Sequence, residues 1–135
     1  MKLSEEERDV IVVYRLQKAK TTLHEAKGNI ELAYWHTVAN RLYYACYYAA
    51  SALLIKNGHI AQTHSGVIAL LGQHFISKDI ISKELGKFYA KIFELRQTGD
   101  YSDWTVIEFA DVLPLVESAE KFIYTIEELI SQPLT

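Results

Sequence analysis

A single cysteine, two prolines and six glycines in 135 residues each remove a class of architecture. One thiol, Cys46, can close no internal disulfide and cannot build a zinc site of the multi-thiolate kind, so it fits a reducing compartment. With so little glycine and proline, and no Ser/Gly-rich or repetitive stretch, no linker or low-complexity tract is expected, and residues 1–135 are predicted to form one domain. No Gly-rich phosphate loop, GxSxG elbow, HExxH or CxxC occurs. His59 and His64 have no acidic ligand at a recognisable spacing, so no metal site and no cofactor are predicted.

Charge is equally informative by what it withholds. The formal net charge is −3, which argues against a broad basic surface for duplex nucleic acid and confines any RNA contact to a local cleft. From Leu32 to Ile55 the only formal charge is Arg41, a run long enough to span a bilayer. Asn40, Arg41 and several tyrosines would then sit mid-membrane rather than at its interfaces, so a membrane span is rejected. The acidic opening MKLSEEERDV lacks the layout of a secretory signal, and the expected location is the cytoplasm.

What is present reads as helix. Ser4 and Glu7 form a capping-box pattern, and Val12, Leu16, Ala19, Leu23 and Ala26 then share one face of a first helix ending near Gly28. A second helix is predicted from about Asn29 to Asn57, stopped by Gly58 and apolar nearly all round, as a central bundle helix would be. Thr63 or Ser65 caps a short third helix carrying Val67, Leu70, Leu71 and Phe75. Asp79 opens a fourth, burying Ile81, Leu85, Phe88, Ile92 and Leu95. The stretch RQTGDYSDW interrupts the pattern at Gly99 and places Tyr101 in a loop. Thr105 and Glu108 offer a box for a last helix that buries Phe109, Val112, Val116, Ile123 and Ile126, with a kink or later start at Pro114. No strand alternation appears, so the fold class is all-α: an antiparallel up-and-down bundle of four long helices plus a short one.

Three constellations could carry chemistry. In NRLYYACYYAASALL, residues 40–54, Asn40 and Tyr44 share one helical face with Arg41 on the next. An arginine in so apolar a segment needs acceptors: either an acidic residue of another helix holds it, or Asn40, Arg41 and Tyr44 line a groove for a nucleotide or RNA phosphate. In RQTGDY, residues 96–101, Arg96 either bonds its own helix end and Asp100, or converges with Arg41 on one anion site and leaves Tyr101 presented to a partner. In THSG, residues 63–66, helix capping explains Thr63 and Ser65, while the free amides of the turn could hold an anion. Cys46, mid-helix among apolar residues, reads as inert.

NRLYYACYYAASALL, then THSGV, then LRQTGDY, in this order and spacing, resembles the HEPN domain over roughly residues 5–130. The resemblance implies an antiparallel helical bundle, commonly a homodimer, often paired with a minimal nucleotidyltransferase in prokaryotic toxin–antitoxin or defence systems. It also implies binding of nucleotide or RNA, and its active branch cleaves RNA without metal through an arginine and, after four to six intervening residues, a histidine. Arg96 matches that arginine as the candidate phosphate-contacting and catalytic residue; no histidine stands at 101, 102 or 103, and the histidine role carries over to nothing. Tyr101, with an ordinary phenol pKa near 10, is a poor proton-transfer substitute. In some paired members a tyrosine just after the motif is modified with AMP, and Tyr101 stands in roughly that place. The expected function is a HEPN-type nucleotide- or RNA-binding module using Asn40, Arg41, Tyr44, Arg96 and Asp100, and working with a nucleotidyltransferase. A metal-independent endoribonuclease toxin and a non-catalytic interaction scaffold are the alternatives.

Overall fold

The computed structural model describes residues 3–132, and among them the chain forms helices and no strand. Helix α1 spans Glu5–Gly28, α2 Trp35–Lys56, α3 His64–Leu71, α4 Lys83–Tyr101 and α5 Phe109–Ser131, with a single π-helical turn, Gly72–Ile76, prolonging α3. The four-long-plus-one-short bundle expected from the sequence is what forms.

The starts of these helices follow from their caps. The Ser4 hydroxyl accepts the Glu7 amide at 3.1 Å while the Glu7 carboxylate accepts the Ser4 amide at 2.9 Å, satisfying two orphan donors of α1. Those bonds hold the Glu7 carboxyl below its ordinary value. Thr63 caps α3 through the Gly66 amide at 2.9 Å.

Three boundaries depart from expectation. Helix α2 starts at Trp35 rather than Asn29, because the chain first reverses through a turn with Ala33 at φ 56°. Helix α4 is capped by Ser82, whose hydroxyl accepts the Leu85 amide, whereas Asp79 sits in the left-handed region at φ 58°. Helix α5 is capped by Glu108 with Asp111, and Thr105 instead bonds Ser102 in the preceding loop. The helix then runs through Pro114 from a start at Phe109, so Phe109 is exposed instead of buried.

Helix α2 occupies the centre, packed against α1, α3, α4 and α5, as its all-round apolarity requires. Its most extensive contact is with α1, and both carry small enclosed side chains: Ala19, Thr22 and Ala26 on one, Ala45, Ala49 and Ala52 on the other. Leu42, Leu53 and Leu54 join Ile92, Phe122 and Ile126 at 0–1% exposure, each burial contributing about 1.5–3 kcal/mol. This core clamps α2 against α4, which brings residues 40–44 to residues 96–100. No helix among the described residues is long and apolar enough to cross a membrane.

Candidate functional site

Among the described residues Arg96 is the most deeply buried charge, 8% exposed on the inner face of α4. An ion so placed must be paired, and its partners come from two helices. Its Nη2 donates to the Tyr44 hydroxyl at 2.7 Å. Its Nε lies 2.9 Å from Oδ2 of Asp100, one turn on, as a charge pair without the alignment of a full hydrogen bond. The guanidinium carbon stands 5.4, 5.0 and 5.7 Å from the ring centroids of Tyr43, Tyr44 and Tyr101, within cation–π range of all three.

Asp100 is the hub. Its Oδ2 also accepts from Asn40 Nδ2 at 3.1 Å, and its Oδ1 meets His36 Nε2 at 3.0 Å. Asn40 in turn accepts Arg41 Nε and Nη2 on its Oδ1 at 3.1 and 2.8 Å. Arg41 reaches outward to Glu25 of α1, with Nη1 at 3.7 Å, and its guanidinium lies 5.3 Å from the same Tyr44 ring. The two arginines therefore do not meet head to head; they share Tyr44 and are joined through Asn40 and Asp100. All five residues singled out in the sequence, Asn40, Arg41, Tyr44, Arg96 and Asp100, fall into one network. Arg41 thus has the acidic partner on another helix that the sequence allowed, Glu25, and bonds Asn40 as well.

A hollow of about 220 Å³ opens beside this network, lined by His36, Thr37, Asn40 and Asp100. Gly99 makes room for it. A Cβ at position 99 would stand 2.9 Å from His36 Cδ2 and 2.5 Å from Ile107 Cδ1. Helix α4 thus continues through Gly99 to Tyr101, correcting the expected loop, and Tyr101 is 75% exposed at the helix end.

Two histidines border the site that motif reasoning did not place there. His36 stands four residues before Asn40, so helical spacing alone could have put it on the same face. His64, within the THSG turn where the sequence assigns capping to Thr63 and Ser65, receives no such signal; α3 carries it in from across a loop. Its Nδ1 lies 2.6 Å from the Tyr43 hydroxyl, and its ring packs against Tyr43, Tyr44 and Tyr47. Burial, and then the Arg96 charge, lower its pKa from the usual 6.5. Burial pushes Tyr43 in the other direction, well above the ordinary phenol value.

Beyond Tyr44 the surface continues as phenol rings interleaved with cations. Lys18 stands 4.8 Å over Tyr48, and Arg15 donates to Ser51 at 3.1 Å. Planar donors over aromatic faces suit phosphates and stacked bases better than they suit a metal. Among the described residues, no group of three or more His, Cys, Asp or Glu side chains could hold a metal ion.

Comparison with known proteins agrees with this geometry. A UPF0332 protein of Thermotoga maritima is 39% identical over 92% of this chain and 94% of its own. A protein of Methanocaldococcus jannaschii, named as a candidate toxin, is 28% identical over 87% of this chain and 81% of its own. In structure, TT1696 of Thermus thermophilus superposes with a TM-score of 0.74 at 18% identity, covering 87% of this chain and 96% of that one, which speaks to the fold alone. The profile of the HEPN domain matches residues 12–129 and so contains every residue of the Arg96 network; this chain belongs to the HEPN domain family.

Proposed function

We propose that the protein is a toxin-like HEPN module that binds the phosphate of a nucleotide or of single-stranded RNA at the hollow beside the Arg96 network. The observation that carries this reading is the Arg41–Asn40–Asp100–Arg96 chain closed over Tyr44. A buried guanidinium costs much to desolvate, and a folded chain keeps one where it is paired or where it meets an anion. Here the Asp100 carboxylate lies against Nε as a charge pair and the Tyr44 phenol accepts from Nη2, so the guanidinium is held from two sides. The relatives named as candidate toxins support the toxin-like part of the reading.

The module would work with a nucleotidyltransferase. Tyr101, exposed and with its ring 5.7 Å from the Arg96 guanidinium, is the residue such a partner would modify: its phenol oxygen would bond to the α-phosphorus of ATP as pyrophosphate leaves and the phenol proton passes to solvent. Self-association is supported by the exposed apolar residues that follow Tyr101 in sequence, Trp104, Val106, Phe109 and Leu113, at 46–93% exposure.

Fluorescence anisotropy with labelled single-stranded RNA and with labelled ATP tests the binding reading. Wild type should bind one of them, and Arg96→Ala should weaken that binding at least about tenfold, or 1.4 kcal/mol. Equal binding by both proteins would overturn it. A second reading, RNA cleavage, is favoured by one specific feature: an imidazole, His36, oriented by the carboxylate that also holds Arg96. Cleavage of RNA by wild type and not by Arg96→Ala would select it.

A further inference from the structure

Resting on the phosphate reading above, we propose that His64 is a second ligand for the phosphate held by Arg96, supplied from α3 and aimed by Tyr43. The geometry fixes this ring more firmly than a capping residue needs. Three phenol rings surround it at centroid distances of 5.6, 5.8 and 4.5 Å, and the Tyr43 hydroxyl engages Nδ1. Nε2 is then the ring nitrogen left for anything outside. Tyr43 is wholly enclosed, and burial keeps its hydroxyl protonated, so it can donate to Nδ1 and leave the ring proton on Nε2 as a donor.

His64 and Arg96 flank the same two rings. The guanidinium lies 5.4 and 5.0 Å from Tyr43 and Tyr44, and the imidazole 5.6 and 5.8 Å from them. The groups placed against His64 are Tyr43, Tyr44 and Tyr47 from α2, whose rings pack on it, and Arg96 from α4, whose charge reaches it. No carboxylate bonds to it among the described residues. The charge acting on it is therefore positive and, after burial, lowers its pKa from the usual value. A phosphate placed against both groups reverses that sign. Binding should draw a proton onto His64, and affinity should rise as pH falls between the lowered free value and the raised bound value.

The test uses a short single-stranded oligoribonucleotide with hydroxyl ends, because its diester phosphates do not titrate near neutrality. Calorimetry in two buffers of different ionisation enthalpy, near about pH 6.5, counts the protons. Wild type should take up roughly one proton per bound oligonucleotide, and His64→Gln should take up none while binding about tenfold more weakly. His24→Gln, on the exposed face of α1, should behave as wild type. Tyr43→Phe, which keeps the ring packing, should also weaken binding. Binding by wild type with no proton linkage, or linkage surviving in His64→Gln, or unchanged affinity in Tyr43→Phe, overturns the role of His64 and leaves the Arg96 reading standing. Wild type that binds no oligonucleotide overturns both.

Discussion

The Tyr44 hydroxyl accepts a 2.7 Å hydrogen bond from Arg96, although 52 residues separate the two in sequence. It ties α2 to α4 at the level of the candidate site. It also offsets part of the cost of enclosing a guanidinium in a bundle of aliphatic and phenolic side chains.

Tyr44→Phe keeps the ring that faces both arginines and removes this acceptor. A buried charged donor left unpaired costs about 1–3 kcal/mol. Denaturant unfolding should show a loss of that size, and phosphate binding should weaken with it. An unchanged midpoint would mean that water replaces the hydroxyl.

Two glycines should answer in opposite ways. Gly72 has open space around a new Cβ and a helical φ of −61°, so Gly72→Ala should stabilise by about 0.5–1 kcal/mol. Gly99 gains the same helix propensity, but its Cβ would collide with Ile107 and His36. Overpacking of this kind costs about 1–3 kcal/mol, so Gly99→Ala should be destabilising on balance. The His36 imidazole resonances should shift as the ring leaves Asp100.

The segment between α2 and α3 should loosen in mild acid. Burial, then the neighbouring His74 and Lys78, lower His59; burial, then Arg96, lower His64. A depressed histidine is neutral in the folded state while its unfolded counterpart, near 6.5, still binds a proton. Stability from these groups is thus complete above about pH 6.5 and is lost as pH falls through the lowered folded values. Amide exchange over residues 58–66 should accelerate on acidification before the α2–α5 core responds.

Cys46 should resist alkylation in the folded protein. It is fully enclosed on α2, and burial raises its thiol pKa far above the usual 9.0, so almost no thiolate is available to react. Labelling should appear only with unfolding, which makes the rate of modification a measure of global opening.

Much of this fold was legible because periodicity and caps acted together. Ser4 with Glu7 and Thr63 behave as their spacing demands, and the unbroken apolarity of α2 announces its central place. Ala33 escaped notice since nothing in its side chain favours a left-handed turn; only the docking of Trp35 and Val38 selects it. Gly99 was misread for a better reason. Glycine usually marks a helix end, but here it is tolerated inside α4 because any larger residue would close the space His36 occupies. Within the site, the Arg96–Asp100 pair is written in its i,i+4 spacing. Asn40 to Asp100 and Tyr43 to His64 are tertiary pairings, and no local pattern encodes them.

Trp104 is 93% exposed three positions beyond Tyr101, whereas Trp35 is half-buried, tilted against Phe109 at 6.2 Å. The two indoles of the chain thus differ in solvation, so its emission carries an optical gauge of whatever settles near the outer one. Acrylamide should quench the outer indole first, and an arriving ligand or second subunit should shield it without any dye being attached.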